Sequence, residues 1–412
     1  MSKREVVAGL DLGSKSLQCV IADVADDYSI EILGVGSSPS KGIKKGVIVN
    51  IEEAALAIET AVSVAEKSAG FEIGGIYVGL GGDSLHSVIR RGEVTIASPD
   101  RVISENDVRR VIDAARLLGL AAEREIVQVL PRDYIVDGIS GVKKPVGMSG
   151  MRLEADASLV TALKTSIANI TKAVEEAGLE IEEDGLVLGS YCTGISSLTQ
   201  DMIELGSVIV DIGFDTTNIA VFKNGSLINS FSVGAGGYNI TYDIAFCLGV
   251  PPMEAERIKI SKGMAMMELV TEDEELNVNS ISSVTQAVVF KSALAEVIES
   301  RLTDIFEKIK AEIEKLSERG IALGAILLTG GSVGIEGIGR LAENILGYPV
   351  KIGSPVNPAD LPTPLCDPAY AMAYGLVLYG STKRSRSIEK PPSSSKTGDF
   401  LNKIMEWLHE IF

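Results

Sequence analysis

Short apolar runs broken by glycine fill the first part of the chain, and longer apolar stripes at helical spacing dominate the second. Val6, Val7 and Ala8 lead into residues 9–16 (GLDLGSKS), and Leu17, Cys19, Val20 and Ile21 follow. This spacing predicts two strands joined by a tight turn. Residues 28–36 continue the sheet, and 41–49 (KGIKKGVIV) form a basic loop or edge. Asn50 can cap a helix and Glu53 can reach back to it. Ile51, Ala54, Ala55, Ile58, Val62 and Ala65 share one face of that helix until Gly70 stops it. Residues 76–80 read as a buried strand ending at Gly81 and Gly82.

Residues 84–163 do not continue this pattern. They predict a strand near 88–97, a helix capped by Ser104 with Asp107, and strands at 126–135 and 153–163 separated by the Gly- and Lys-rich 138–150. That set is an inserted α/β subdomain. A helix at 166–177 ended by Gly178, a strand at 180–188 and a helix at 191–202 follow.

Residues 207–218 (SVIVDIGFDTTN) then repeat the opening layout: an apolar strand, Asp-x-Gly, small hydroxyl residues and a second apolar strand. Asn224-Gly225 makes the next hairpin, 231–237 end a strand in glycines, and helices follow at 238–247 and from Pro251 and Pro252. Residues 266–278 predict two short strands, and 282–319 a long helical stretch with room for one break, with Val289, Leu294, Val297, Ile298, Leu302, Ile305, Ile309, Ile313 and Leu316 in its core. A buried strand at 325–329 runs into Gly330, Gly331, Ser332, Val333 and Gly334, which open a helix near Ile335. A strand at 348–352, an extended connector with five prolines at 355–368 and a small apolar helix at 367–378 complete the body, which Gly380 ends.

These turns suggest chemistry. Gly13, Ser14, Lys15 and Ser16 can cradle a phosphate, and Asp11 can hold a magnesium ion through water beside it. Two such hairpins in one chain imply similar halves facing each other across a polyphosphate, with Gly213, Phe214, Asp215, Thr216, Thr217 and Asn218 in the second cradle. The glycines at 330–334 let a flat ring approach the backbone.

Charge narrows the partners. With 38 basic and 56 acidic residues, net charge −18, the chain is no general nucleic-acid binder. Cys19, Cys192, Cys247 and Cys366 form no CxxC pair and are expected as core residues in a reducing cytosol. Histidine-based sites have only His86 and His409 to draw on. No signal peptide and no membrane span is expected. Residues 381–398 turn to Ser, Pro and Lys, a flexible linker with local basic excess. Beyond it Asp399 can cap a last helix that crowds Phe400, Leu401, Ile404, Met405, Trp407, Leu408, Ile411 and Phe412 on one broad side. This helix either docks on protein or lies in a membrane interface; the linker and the upstream basic residues favour a reversible lipid anchor.

The two hairpins and the Gly-Gly turn, in this order, resemble the actin, Hsp70 and sugar-kinase ATPases up to about residue 380. With the insert and the tail, the chain is similar to FtsA-type bacterial cell division proteins. The resemblance implies a two-lobed, actin-like α/β fold binding ATP and Mg2+, with Asp11 and Asp211 reaching the ion through water. It divides the chain into a first-lobe core (1–83 and 164–200) interrupted by the insert (84–163). A second-lobe core (201–242 and 320–364), its small subdomain (243–319), a returning helix (365–380), the linker (381–398) and the membrane helix (399–412) follow.

The resemblance further implies that Gly236 and Gly237 line the phosphates. Glu256, Lys259 and Lys262 would hold the ribose and adenine edge. The small subdomain would receive the C-terminal tail of FtsZ, with Lys291 and Arg301 as candidate contacts, and the insert would serve self-association and other division proteins. The protein would then sit peripherally on the cytoplasmic face of the membrane at the septum. Near the start of the helix at 191–202, where hydrolysing relatives carry a Gln or Glu that orients water, Gly189, Ser190, Tyr191, Cys192 and Thr193 offer no such group, so slow hydrolysis is expected. Phe214, Asp215 and Asn218 depart from the usual second hairpin, with Asp215 expected to take a left-handed backbone. A pilus-assembly actin homologue and a small-molecule kinase of the same fold are the alternatives.

Overall fold

Two five-stranded sheets of identical connectivity frame the molecule, seen in a computed structural model that describes residues 5–385 apart from 26–28, 83, 118–120, 281–285, 319 and 357–360. In the first lobe β1 (Glu5–Asp11), β2 (Ser16–Val24) and β3 (Ile30–Pro39) are antiparallel neighbours. A small ribbon, β4 (Ile43–Lys44) and β5 (Val47–Ile48), precedes α1 (Ile51–Ala69), which Asn50 caps by accepting from the Glu53 N–H and Gly70 ends at φ 82°. β6 (Gly75–Leu80) returns parallel to β1.

The insert is its own antiparallel sheet of β7 (His86–Thr95), β8 (Arg124–Val136), β9 (Ile139–Val142) and β10 (Arg152–Leu163), ordered β7-β10-β8-β9, with a separate small core. Its helix α2 (Glu105–Arg116) carries the expected Ser104–Asp107 capping box. The insert also leans on the second lobe: Ser226 Oγ donates to the Arg132 carbonyl at 3.0 Å and Lys143 Nζ to the Asn224 carbonyl at 2.6 Å. α3 (Lys164–Glu176) and β11 (Glu180–Leu188) close the first sheet in the order β11-β6-β1-β2-β3.

The crossover is α4 (Gly189–Ser197) and α5 (Gln200–Leu205). The second lobe repeats the first. β12 (Ser207–Ile212), β13 (Thr217–Lys223) and β14 (Ser226–Val233) are antiparallel. After α6 (Gly237–Leu248), α7 (Pro252–Lys262), the ribbon β15 (Glu275–Asn279) with β16 (Gln286–Phe290), and α8 (Lys291–Glu318), strand β17 (Ala325–Thr329) returns parallel to β12. α9 (Ile338–Leu346) and β18 (Val350–Ile352) finish that sheet, and α10 (Ala371–Ser385) crosses back to the first lobe.

Several expectations are corrected. The helix expected at 191–202 is two, because Leu198 is extended (ψ 140°) and Thr199 caps the second by accepting from the Met202 N–H. The loop 138–150 contains a strand. In place of two strands at 266–278 there is a one-turn helix (Met267–Leu269) and β15, whose partner lies inside the stretch read as helix from 282; α8 begins only at Lys291 and is unbroken. The turn after β17 is longer than expected, and α9 starts after Gly337 at φ 84°. The proline-rich connector coils into one-turn segments at Thr363–Cys366 and Pro368–Tyr370. Cys19 and Cys192 are core residues, whereas Cys247 is exposed and Cys366 half-buried.

Gly380 does not end the body. A Cβ there would meet Tyr77 and Val7 at 2.6 Å, so the glycine is a close-packing point along α10, and Ser381 and Thr382 beyond it are buried. Among the described residues no helix is long and apolar enough to cross a membrane. Residues 386–412, with the apolar side from Phe400 to Phe412, lie outside the described residues.

The lobes meet at α4 and α10. All residues of α4 are buried, and a Cβ on Gly375 would lie 2.0 Å from the Cys192 carbonyl oxygen. Gly375→Ala is therefore expected to lower the unfolding free energy by about 1–3 kcal/mol, the range for overpacking a tight contact. Denaturant unfolding measures this, and an unchanged midpoint would mean the helices separate freely.

Candidate functional site

The two repeated hairpins face each other across the cleft between the lobes. From the first lobe come Asp11, Gly13, Ser14, Lys15 and Ser16; from the second, Asp211, Gly213, Phe214, Asp215, Thr216 and Asn218; from the turn after β17, Gly330, Gly331 and Ser332. Their equivalence extends to register. Asp11 pairs with Gln18 across β1 and β2, and Asp211 pairs with Asn218 across β12 and β13. Directly opposed residues of an antiparallel pair project on the same face. Each hairpin thus sets a carboxylate beside an amide.

The two amides are used differently. Asn218 Oδ1 accepts from the Gly82 N–H at 3.0 Å and from Ser232 Oγ at 3.2 Å, tying the second hairpin to the end of β6. Gln18, 7% exposed, donates from Nε2 to Ser16 Oγ at 2.9 Å, and its buried Oε1 has no partner.

Further polar contacts span the cleft. Lys15 Nζ meets Glu256 Oε1 at 2.7 Å, and the Lys45 N–H donates to Asp215 Oδ2 at 3.0 Å. Glu256 also pairs with Lys259 at 2.5 Å and accepts from the Thr241 hydroxyl. Burial alone would raise the Glu256 carboxyl, but the hydrogen bonds from Lys15, Lys259 and Thr241 outweigh it and bring it down to about 2. Burial lowers the Lys259 ammonium, and Glu256 opposes that shift.

Asp11 and Asp211 are the reverse case. Burial first, then the neighbouring Asp211, pushes Asp11 up to about 8, and burial pushes Asp211 up to about 6. Among the described residues neither is ion-paired, and no group of three or more His, Cys, Asp or Glu side chains converges to enclose a metal. Two unpaired carboxylates without an enclosing cage suit a cation that keeps its own water, as Mg2+ does.

Several expected residues sit behind the cleft. Thr217 is fully buried and donates to the Ala235 carbonyl. Gly236 and Gly237 pack under the second hairpin, the Gly237 N–H donating to the Gly213 carbonyl at 2.9 Å. Val333 is core, and neither it nor Gly334 lines the cleft. Lys262 points to Glu274 at 2.7 Å instead of joining Glu256 and Lys259. Asp215 is not among the residues with positive φ; its side chain caps Lys45 instead. Arg301 holds Asp243 at 2.5 Å and Asp304 at 3.1 Å, joining α6 to α8. Gln18, Gly46, Gly79, Gly81 and the stretch Pro368, Ala369 and Met372 also line the cleft and escaped sequence reasoning. The glycines after β6 were a visible signal for Gly81, whereas Pro368, Ala369 and Met372 carried none.

The model of "Cell division protein FtsA" matches residues 208–375, and that of the "SHS2 domain inserted in FTSA" matches residues 82–161. FtsA of Pseudomonas aeruginosa is 35% identical over 99% of this chain and 98% of its own length. The chain belongs to the FtsA family. FtsA of Escherichia coli K12 is 33% identical over 99% of each chain, and that of Bacillus subtilis 34% identical over 92% of this chain and 84% of its own. The SHS2 match at 82–161 overlaps the inserted α/β subdomain.

Solved structures match in fold. A type IV pilus PilM–PilN complex aligns with TM-score 0.63 at 15% identity over 91% of this chain and 98% of that chain. MreB5 of Spiroplasma citri bound to ADP aligns with TM-score 0.56 at 12% identity over 93% of this chain and 98% of that chain. The fold is actin-like, and the protein is an actin-like division protein of the FtsA family.

The depressed carboxyl of Glu256 makes its contribution pH-dependent. Stabilisation from this ionised group is complete above its ordinary value of 4.5 and lost as pH falls through about 2. The difference in unfolding midpoint between the wild type and Glu256→Gln is expected to be widest at about pH 7 and to close over that acid range. A difference independent of pH would show that the charge on Glu256 contributes nothing.

Proposed function

We propose that this FtsA-family protein binds Mg-ATP between its lobes, self-associates, and tethers the FtsZ ring to the cytoplasmic membrane. The observation that carries the nucleotide reading is the pair of equivalent hairpins, each with an Asp, a glycine and hydroxyl groups, opposed across one cleft. Lys15, Ser14, Ser16 and Thr216 would hold phosphate oxygens. Glu256 and Lys259 are not among the residues lining the cleft, but Glu256 reaches Lys15, and the Glu256–Lys259 pair would be free to meet a ribose hydroxyl once Lys15 turns from Glu256 to phosphate. Asp11 and Asp211 would hold hydrated Mg2+, which neutralises phosphate charge when bound. The solved MreB5 of like fold was captured with ADP, which supports the same use of the cleft here.

Hydrolysis is proposed to be slow. α4 reads GSYCTGISS, with no amide or carboxylate side chain to orient water, and its residues are all buried. Turnover above about 1 s⁻¹, the low end of ordinary enzymes, would refute this. A small-molecule kinase gains no support from the family match. A pilus-assembly role rests on shared fold alone, at 15% identity.

The membrane step is assigned to residues 399–412 by their sequence, with five cations and one acid preceding them in 381–398. Because α10 runs to Ser385, a truncation after Ser385 leaves the body intact. The full chain is expected to sediment with anionic vesicles and the truncated chain to stay in solution. Equal behaviour of the two would move the tail's target from lipid to protein. For the FtsZ tail, Lys291 at the start of α8 is the cleaner cation to reverse, since Arg301 is engaged by Asp243 and Asp304. Lys291→Glu is expected to weaken binding of an FtsZ C-terminal peptide about fivefold, the worth of one exposed ion pair. Unchanged affinity would exclude this contact.

A further inference from the structure

Gln18 is the one cleft residue whose chemistry the site described so far leaves unused. It lies on β2, opposite Asp11 in the β1–β2 register and therefore on the same face of the hairpin. Its Oε1 lies close to Gly13, since a Cβ added to Gly13 would come within 3.9 Å of it. The side chain is more than nine-tenths buried, lines the cleft, and leaves Oε1 without a donor. A buried acceptor with no donor costs about 1–3 kcal/mol, so such a group in a functional cleft points to a donor that arrives with a ligand.

The second hairpin shows the equivalent position satisfied within the protein. Asn218 occupies the same place relative to Asp211, and its amide oxygen is already satisfied by Gly82 N–H and Ser232. The asymmetry confines the open acceptor to the Asp11 side. An amide oxygen accepts and cannot donate, so it repels phosphate oxygens. Water bound to a divalent cation, by contrast, donates strongly.

We propose that Gln18 is a positioning residue for the hydrated cation: its Oε1 accepts a hydrogen bond from a metal-bound water, alongside Asp11 and Asp211. This rests on the reading of the cleft as a Mg-ATP site and adds a third oxygen to it. The Ser16 hydroxyl accepts from the amide nitrogen, which leaves Oε1 as the unpartnered atom of the amide. Mg2+ retains several waters when bound beside phosphates, so a neutral acceptor suits its outer shell.

The test measures ATP affinity of the full chain by calorimetry, once in EDTA and once across a Mg2+ series, for the wild type and for variants at Gln18. Gln18→Leu, similar in size, is expected to lose about tenfold in the affinity gained from Mg2+, the scale of one hydrogen bond to a charged partner, with ATP affinity in EDTA unchanged. Gln18→Glu, which keeps the acceptor, is expected to retain that gain. Gln18→Lys, a donor only, is expected to abolish it.

Equal weakening by Gln18→Leu with and without Mg2+ would place the amide on phosphate and overturn the proposal, as would a Mg2+ gain untouched by the substitution. If Gln18→Leu does not fold, as its thermal melt reports, the contrast between Glu and Lys at this position decides. A wild type that binds no ATP under either condition would instead sink the nucleotide reading itself. A wild type that binds ATP equally with and without Mg2+ would leave the nucleotide and remove the cation.

Discussion

The packing of α10 against α4 is the constraint on which the site depends. Both helices lie between the lobes, and they approach so closely that Gly375 has no room for a side chain over the Cys192 carbonyl. Gly194 on the other side of α4 is likewise filled by the ring of Phe222. Such contacts are rigid because a dense apolar interior resists small displacements. With Gly9 of β1 pressed on the Ala373 carbonyl and Phe222 of β13 pressed on α4, each hairpin strand is referred to the same helix pair. The opposed Asp residues are thereby held at one separation.

Upon that rigid base, the upper part of the cleft is joined by polar contacts that a ligand can replace. Lys15 to Glu256, the Lys45 N–H to Asp215 and the Gly82 N–H to Asn218 all run between lobes. They are individually modest, since exchange with water offsets most of the strength of a hydrogen bond. On the proposed nucleotide reading, a phosphate competing for Lys15 would release Glu256 without disturbing the helix core. The insert reaches the same second lobe through Ser226 and Lys143, so its position follows the lobes as a whole.

Much of this was legible in the chain. The Asp-x-Gly hairpins, the glycine turn after β17, the Asn50 and Ser104 caps and the break of pattern at the insert are local signals, and local chemistry produced them. The misses share a cause. β16 (QAVVF) runs straight into α8 with no glycine or proline between them, and only pairing with β15 makes it a strand. Gly380 carries the mark of a helix stop, yet it serves a close approach to Tyr77 and Val7 that lies far away in sequence. Leu198 breaks a helix that propensity alone would continue.

Local signals along the chain carried the fold class, the repeat of one hairpin plan in both halves, the insert and most of the residues that line the cleft, because turns, caps and hydrophobic periods are set by neighbours within a few residues. Which groups are paired emerged with the folding of the whole molecule. Register brought Gln18 beside Asp11, and the approach of the lobes satisfied Asn218 while leaving Gln18 open. Packing of α6 on α8 committed Arg301 to Asp243, and Lys262 at the end of α7 pairs with Glu274. Pairing across long sequence separations depends on the closed three-dimensional surface, and no local pattern along the chain encodes it.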